Sequence, residues 1–251
     1  MAIVIPSELK NFHSVFEKLS HLYDSADIFD CFLEYIIAGF CVDDSITWEL
    51  AKRYSKNEQS LFNILFRECI KVQDVKITTD NNWYDMFGAY YESYVASKSR
   101  RSCKGQFFTP EHVCDMMVKI TGETNGNFRD PCSGSGRFAL AYHVHNLGSN
   151  LYVSDIDKTC CMMSVCNFLL HGCVGEVVWQ DSLSTNSWFG GWMVNRNLNN
   201  PFHKYFGIPH VETLNKEYSH IWYNIEKQTE EFKNKPKQPI NNAQILMEFE
   251  F

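Results

Sequence analysis

The spacing of apolar residues along the chain changes near residue 100. Before that point, apolar residues recur every three or four positions, which is the period of an amphipathic helix. After it, short apolar runs alternate with glycine-rich turns, a pattern typical of strands joined to helices. The sequence therefore predicts a helical N-terminal domain over 1–100 and an α/β domain over 101–251.

The helical part contains several apolar stripes. The first stripe consists of Phe12, Val15, Phe16, Leu19 and Leu22. Two more lie in the runs DIFDCFLEYIIAGF and SLFNILFRECIKV. The last stripe is aromatic and consists of Trp83, Met86, Tyr90 and Tyr94. Stripes at this spacing are typical of core packing, so we predict a helical bundle whose aromatic residues are buried.

The second part is predicted to alternate helices with strands. The run PEHVCDMMVKIT predicts a helix whose buried face is Val113, Met116, Met117 and Ile120. Strands are then predicted to end at Asp130, Asp155 and Asp181, and the strand-like run GGWMV leads to Asn195.

The run DPCSGSGRF forms the turn between the first predicted strand and a helix that begins near Arg137. Gly134 and Gly136 allow the main chain to turn sharply and a ligand to approach it, and the helix start offers unpaired N–H groups. Neither G-x-G-x-x-G nor a Lys-Ser/Thr pair follows, which disfavours a phosphate-bearing cofactor.

Aspartates stand at the predicted strand ends. The carboxyl ends of parallel strands meet at one edge of a sheet, so Asp130, Asp155 and Asp181 are expected in one crevice with the glycine turn. Asp155 is placed to accept both hydroxyls of a ribose, and Asp181 to accept from an adenine amino group. These features favour a nucleoside ligand.

Composition and charge restrict the class of protein and its expected cellular location. The 251 residues are 45% hydrophobic with a formal net charge of -7, which disfavours a broad nucleic-acid-binding surface. No apolar run has membrane-spanning length and the N-terminus lacks signal-peptide character, so we expect a cytoplasmic protein with reduced thiols. The ten cysteines form no C-x-x-C pair and are predicted to be packing residues, not metal ligands.

Four motifs together resemble the N6-adenine DNA methyltransferases, specifically the modification-subunit type of restriction-modification systems. They are GQFFTP, DPCSGSGRF, SDID and DSL, preceded by AYYES, which is similar to the family's YE helix. The resemblance covers about residues 82–195. It implies a class I S-adenosylmethionine-dependent methyltransferase fold, a Rossmann-like doubly wound sheet, with S-adenosyl-L-methionine as cofactor.

The resemblance also implies a set of cofactor-binding residues. Those that flank the methionine end are Gln106, Phe107, Phe108, Thr109 and Pro110. Those along the glycine turn are Asp130, Pro131, Cys132, Ser133, Gly134 and Gly136. The ribose is assigned to Asp155 with Ile156 beside it, and the adenine ring to Asp181, Ser182 and Leu183.

The catalytic element departs from the family pattern, in which Asn or Asp, two prolines and an aromatic residue follow the fourth strand. Asn195 occupies the first position, but Arg196 and Asn197 follow it. A rival alignment uses Asn199-Asn200-Pro201-Phe202, several residues past the strand end. Asn195 would accept from the N6 amine and Phe202 would stack on a flipped base.

The resemblance implies DNA as substrate, with methyl transfer directly to adenine N6. A local basic patch that could contact DNA consists of Lys98, Arg100, Arg101 and Lys104. The short tail after Asn195 predicts that a specificity or recognition subunit supplies DNA recognition. Two alternatives stay open: a catalytically inactive S-adenosylmethionine-binding sensor or assembly subunit, and a methyltransferase acting on RNA or protein.

Overall fold

The computed structural model describes residues 4–43, 53–79, 82–98, 108–121, 126–184 and 187–234. The helical part contains α1 Lys10–Ser20, α2 Ser25–Phe40, α3 Lys56–Thr79 and α4 Met86–Tyr90, which continues through a π-helical turn, Tyr91–Val95, into α5 Ala96–Lys98. A 3-10 turn, Ser7–Leu9, precedes α1, and the Asp24 side chain caps α2 by accepting from the Ala26 N–H.

The aromatic stripe lies in the centre of the helical part. Trp83, Met86, Tyr90 and Tyr94 are all buried, which confirms the prediction that they are core residues. Tyr90 packs edge-on against Phe12 and Phe16 of α1 at ring-centroid distances of 4.8 and 5.1 Å. The prediction was wrong for Leu22, which is exposed because α1 ends at Ser20.

The second part alternates helices and strands as predicted up to β3, after which β4 and β5 follow without an intervening helix. Its elements are α6 Glu111–Thr121, β1 Phe128–Asp130, α7 Arg137–His145, β2 Asn150–Asp155, α8 Lys158–His171, β3 Val174–Gln180, β4 Trp188–Val194, β5 Val211–Thr213 and α9 His220–Asn234, with a 3-10 turn, Lys216–Tyr218, before α9. The predicted strand ends at Asp130 and Asp155 are confirmed, and β3 ends one residue before Asp181.

The strands form one mixed sheet in the order β1-β2-β3-β4-β5. β1, β2 and β3 are parallel, whereas β4 pairs antiparallel with β3 and β5 antiparallel with β4. The fold is therefore α/β. Within the described residues the order does not reverse as in a doubly wound sheet, so that part of the prediction stays a prediction.

The two faces of the sheet are covered by different helices. Val153 and Val177 belong to the main core, which also contains buried residues of α8 and of the helical part. Tyr152 and Val178 point to the other face, where they pack with Ile221 of α9. α2 of the helical part packs directly on α8 of the second part. The division of the chain into two domains at residue 100 stays a prediction.

The face predicted for α6 was wrong. Met116, Met117 and Ile120 are exposed and Val113 is half-buried, whereas Cys114 and Val118 are buried. α6 packs against α7 along this narrower stripe, and Met117 lines the cavity described below. Apolar spacing identified the helix, but its buried side depends on where α7 lies.

Candidate functional site

A cavity of about 660 Å³ lies where the parallel strands β1, β2 and β3 end. This end of the sheet is called here the pocket edge. That volume is within the usual range for small-molecule sites. The predicted cofactor residues that line it are Phe108, Thr109, Asp130, Pro131, Cys132, Ser133, Gly134, Asp155, Ile156, Asp181, Ser182 and Leu183. The structure thus brings three strand ends, the glycine turn and the FTP segment to one place.

The glycine turn and the FTP segment meet at Gly134 and Phe108. Gly134 has a φ of +55°, and a Cβ atom at this position would lie 2.7 Å from Cδ1 of the Phe108 ring. Glycine is required here both by the left-handed backbone and by the close approach of the ring. The two motifs therefore form adjoining walls of a single pocket.

Asp155 fixes the glycine turn at the end of β2. Its Oδ2 accepts from the Gly134 N–H at 2.9 Å, and its Oδ1 accepts from the Asp157 N–H at 2.9 Å. Each carboxylate oxygen can accept more than one hydrogen bond, so Asp155 keeps acceptor capacity toward the cavity. Asp157 caps α8 by accepting from the Thr159 N–H, as expected for the helix start.

The pocket edge is rich in carboxylates. Burial raises the pKa of Asp130, the hydrogen bond from the Cys132 N–H lowers it, and the charge of Asp155 raises it again. Asp181 accepts from the Leu183 N–H at 3.0 Å and holds the DSL segment in a turn. Carboxylates at this density favour a cationic ligand over a phosphate.

The turn also contains an unpaired buried hydroxyl. The Ser133 Oγ is buried and has no hydrogen-bond partner among the described residues, although the Ser133 N–H donates to the Ser154 carbonyl at 3.0 Å. Buried polar atoms are rarely left unpaired. The exposed side chains of Ile156 and Leu183 add apolar walls at the mouth. This combination fits a nucleoside-type ligand.

Sequence reasoning missed a buried ionic network behind the pocket. The Arg137 guanidinium donates to Oδ2 of Asp85 at 2.9 Å, to Oε2 of Glu92 at 3.1 Å and to the Thr109 carbonyl at 3.1 Å. Burial alone would lower the pKa of Arg137, but the carboxylates of Asp85 and Glu92 raise it. Arg137 also lines the cavity, but its pairing with two carboxylates disfavours it as a phosphate ligand.

The same network holds the pocket walls in place. Asp85, which is fully buried, also accepts from the Ser135 hydroxyl and from Nδ2 of Asn167. Glu92 accepts from the Phe108 N–H at 2.9 Å. The segment Asp85–Glu92 thus connects the glycine turn with the FTP segment. The available sequence signals were the pair of acids seven residues apart beside the aromatic stripe and the AYYES motif, which contains Glu92.

Some predicted cofactor residues lie elsewhere. Gly136 does not line the cavity. It is the residue directly before α7 and has a φ of +81°, and a Cβ atom at this position would lie 2.9 Å from Oγ of Ser164. Pro110 accepts the first main-chain hydrogen bonds of α6 and is also not part of the lining. Gln106 and Phe107 lie outside the described residues. Of the basic patch, Lys98 is exposed, whereas Arg100, Arg101 and Lys104 lie outside the described residues.

Asn195 is not brought to this pocket. β4 runs antiparallel to β3, so its end pairs with the beginning of β3, and Asn195 follows at the opposite edge of the sheet, called here the turn edge. Val194 pairs with Gly175, so Asn195 lies level with Val174, about 20 Å from the end of β3 at the usual strand rise. The expectation that Asn195 adjoins the methyl donor rested on a parallel fourth strand.

The Asn195 side chain forms hydrogen bonds within the fold. It is fully buried, with a φ of +56°. Its Nδ2 donates to the carbonyls of Phe168 and Cys173, and its Oδ1 accepts from the His210 N–H. These bonds join the end of α8 to the segment that leads into β5. Asn195 therefore serves as a turn residue in this structure.

The rival alignment does not reach the pocket either. Phe202 is 97% exposed, and its N–H donates to Oδ1 of Asn200 in a local turn beyond Asn195. Neither predicted catalytic residue is near the pocket edge, because both follow the antiparallel β4.

Among the described residues, no helix combines the length and apolar character needed to span a bilayer.

Comparisons with known proteins agree with the site's motifs. Residues 82–248 match the model of the family described as N-6 DNA Methylase. The chain is also 23% identical over 123 residues to the type I restriction enzyme MjaIX methylase subunit of Methanocaldococcus jannaschii, in a match that covers 45% of this chain and 22% of that protein. Because the family match extends over more than half of the chain and includes every wall of the pocket, the protein belongs to the N-6 DNA methylase family.

Proposed function

We propose that the pocket edge binds S-adenosyl-L-methionine and that the chain acts in methylation of adenine N6 in DNA. The observation that carries this proposal is the cavity at three strand ends, where Gly134 is held by Asp155 beneath the ring of Phe108. The fold would then be a variant of the class I methyltransferase fold. A specificity subunit would supply DNA recognition, and the protein would act in the cytoplasm.

Each wall has a role in this proposal. Asp155 would accept the ribose hydroxyls, and the DSL segment with Asp181 and Leu183 would surround the adenine ring of the cofactor. Ser133 and the turn at Gly134 would contact the methionine part beside Phe108. The surplus of carboxylates would attract the positively charged sulfonium.

The reaction follows from the cofactor's chemistry. When bound, S-adenosylmethionine would supply an electrophilic methyl group to the N6 lone pair, with the electrons of the C–S bond left on sulfur and the N6 proton released to solvent. The chain's part is to orient the donor and to exclude water. It must also provide an acceptor for the N6 hydrogens, and Asn195 is engaged elsewhere.

Isothermal titration with S-adenosylmethionine tests the pocket. Wild-type protein should bind, and Asp155→Ala should bind about 10–100-fold more weakly because a hydrogen bond to a charged group is lost. Asp157→Ser keeps the helix cap and should retain wild-type affinity. Thermal unfolding of each variant separates loss of the ligand contact from loss of the turn. Undetectable binding to folded wild-type protein would refute the proposal.

A second candidate is cofactor binding without transfer, as in a sensor or assembly subunit. The buried, fully bonded side chain of Asn195 favours it. Transfer of tritiated methyl groups into unmethylated DNA, with and without neighbouring gene products, distinguishes the two. Incorporation that requires Asp155 supports the enzyme, and binding with no incorporation under either condition supports the sensor.

A further inference from the structure

Glu92 lies behind the pocket edge and does not line the cavity. It belongs to the π-helical turn Tyr91–Val95, between α4 and α5. Such turns are rare in proteins and occur frequently at functional sites. Tyr90 and Tyr94 pack against Phe16 of α1, whereas Glu92, two residues from each of them, lies on the opposite side of the helix and contacts the second part of the chain.

Glu92 and Arg137 together hold the main chain of the FTP segment at two consecutive residues. Oε1 of Glu92 accepts from the Phe108 N–H at 2.9 Å, and the Arg137 guanidinium donates to the Thr109 carbonyl at 3.1 Å. The two side chains are themselves joined, because Nη2 of Arg137 donates to Oε2 of Glu92 at 3.1 Å. The direction in which the Phe108 side chain leaves the main chain therefore depends on this ion pair.

The Phe108 ring is half-buried between the helical part and the glycine turn. The Tyr91 ring and the Arg137 guanidinium lie 6.0 and 5.6 Å from its centroid. The ring also lies against Gly134 and lines the cavity. A change in the main chain at Phe108 would therefore move this wall relative to the glycine turn.

Glu92 differs from the other ions of the network in what it holds. Asp85 is fully buried and accepts from side chains of the glycine turn, of α7 and of α8, so its loss would disturb the whole pocket edge. The hydrogen bonds of Glu92 go to the Phe108 N–H and to Arg137. Loss of the Glu92 carboxylate would release one wall of the pocket and leave Asp85 paired with Arg137.

We infer that Glu92 is a positioning residue that determines how tightly the pocket edge holds the amino-acid end of its ligand, but not the nucleoside end. This inference rests on the proposed function, in which Phe108 lies beside the methionine part of S-adenosylmethionine. Glu92 acts through Phe108, because it fixes the ring that lines the cavity. The walls assigned to ribose and adenine are held by hydrogen bonds of Asp155 and Asp181 that do not involve Glu92.

The test is a titration of the full chain with two ligands that share adenosine and a thioether sulfur. S-adenosylhomocysteine carries the amino-acid chain on this sulfur, and 5′-methylthioadenosine carries a methyl group in its place. Glu92→Ala should bind S-adenosylhomocysteine about tenfold more weakly than wild type, because Phe108 loses the hydrogen bond that orients it. Its affinity for 5′-methylthioadenosine should stay within about twofold of wild type.

Glu92→Gln separates positioning from charge. Both variants remove the negative charge beside Arg137, but the glutamine amide oxygen can still accept from the Phe108 N–H. Glu92→Gln should therefore stay within about threefold of the wild-type affinity for S-adenosylhomocysteine. Equal weakening in the two variants would assign the effect to charge and overturn the inference. Tighter binding in both would show that Arg137, once released, binds the ligand carboxylate, and would also overturn it.

Phe108→Ala tests whether Glu92 acts through this ring. It leaves the ion network in place and should weaken S-adenosylhomocysteine more than 5′-methylthioadenosine. The double variant of Glu92→Ala and Phe108→Ala should bind no more weakly than Phe108→Ala alone, because the two changes remove one interaction. Additive losses would refute the inference. Equal weakening of the two ligands by Phe108→Ala would refute it even if Glu92→Ala does not fold.

Glu68→Ala is the matched control. Glu68 also pairs with a cation, Lys71, but it lies on α3 and does not line the cavity. This variant should bind both ligands as wild type does, and a loss specific to S-adenosylhomocysteine in it would contradict a special role of Glu92. If wild-type protein binds both ligands and Glu92→Ala weakens them equally or not at all, the inference fails and the cofactor proposal stands. Wild-type protein that binds neither ligand would refute the cofactor proposal as well.

Discussion

The pocket edge and the turn edge of the sheet both receive polar residues directly after strands, but they use them differently. At the pocket edge, Asp155 holds a glycine turn and keeps acceptor capacity toward a cavity. At the turn edge, Asn195 uses its whole amide to join three main-chain segments. The difference follows from strand direction, because a polar residue after a strand reaches the pocket only if that strand is parallel to its neighbours.

The two edges are also stabilised over different distances in sequence. The pocket edge depends on Asp85, which bonds Arg137 and Asn167 from 52 and 82 residues away. The turn edge is closed by bonds between residues 15 to 27 positions apart. The pocket edge should therefore respond most strongly to loss of a buried charge, and the turn edge to loss of a local hydrogen bond.

The largest effect is expected from Arg137→Met. It leaves Asp85 buried without its cation, which should lower the free energy of unfolding by about 3–5 kcal/mol. Urea unfolding followed by circular dichroism measures this. The control Lys158→Met breaks the exposed Lys158–Glu34 pair and should cost less than about 1 kcal/mol. Equal losses in the two variants would contradict a special role for the network at the pocket edge.

The next effect is expected from Asn195→Ala. It removes three buried hydrogen bonds and places alanine at a φ of +56°, so stability should fall by about 2–4 kcal/mol. Affinity for S-adenosylmethionine should stay at the wild-type level in the folded fraction. Asn82→Ala, exposed and at a φ of +65°, is the control and should cost only about 1 kcal/mol. A variant of wild-type stability that has lost cofactor binding would reverse the assignment of the two edges.

Gly134→Ala should have a smaller effect on stability and a clear effect on binding. The new Cβ would meet the Phe108 ring, and the left-handed backbone adds about 1–2 kcal/mol of strain. Titration should show affinity for S-adenosylmethionine reduced by at least about tenfold. Gly148→Ala has the same backbone cost, with no atom within 4 Å of its Cβ, and should bind normally. Normal binding by Gly134→Ala would mean that the turn is not a wall of the site.

The smallest effect concerns pH and the end of α8, beside the turn edge. Burial lowers the pKa of His171 from 6.5 to about 4. The unfolded chain therefore takes up a proton before the folded protein does, and stability should fall as the pH drops below about 6.5. We expect His171 to contribute a loss of about 1 kcal/mol between pH 7 and pH 5.5.

The His171 contribution is measured as a difference between proteins. Burial raises the pKa of Asp30 to about 6, which acts in the opposite direction because the folded protein takes up that proton first. Urea unfolding of wild type and His171→Gln at both pH values cancels the Asp30 term. The exposed His112→Gln serves as control and should follow the wild-type profile. Parallel profiles for wild type and His171→Gln would exclude His171 as the source of the pH dependence.

Much of the fold and half of the site were predictable from the sequence. Periodicity located the helices, alternation located β1 to β4, and the Gly134 turn with Asp130 and Asp155 identified the pocket edge. These features are local, since they depend on the backbone preferences and polarity of neighbouring residues. The exposed face of α6 was not predictable, because it depends on the position of α7.

The sequence by itself determined where the chain turns and which residues bear carboxylates at strand ends. The tertiary structure alone decided that β4 runs antiparallel, which places Asn195 at the turn edge, and that Arg137 is neutralised by Asp85 and Glu92. The reason is physical: strand direction and buried charge pairing are set by contacts between distant residues, on which local sequence carries little information.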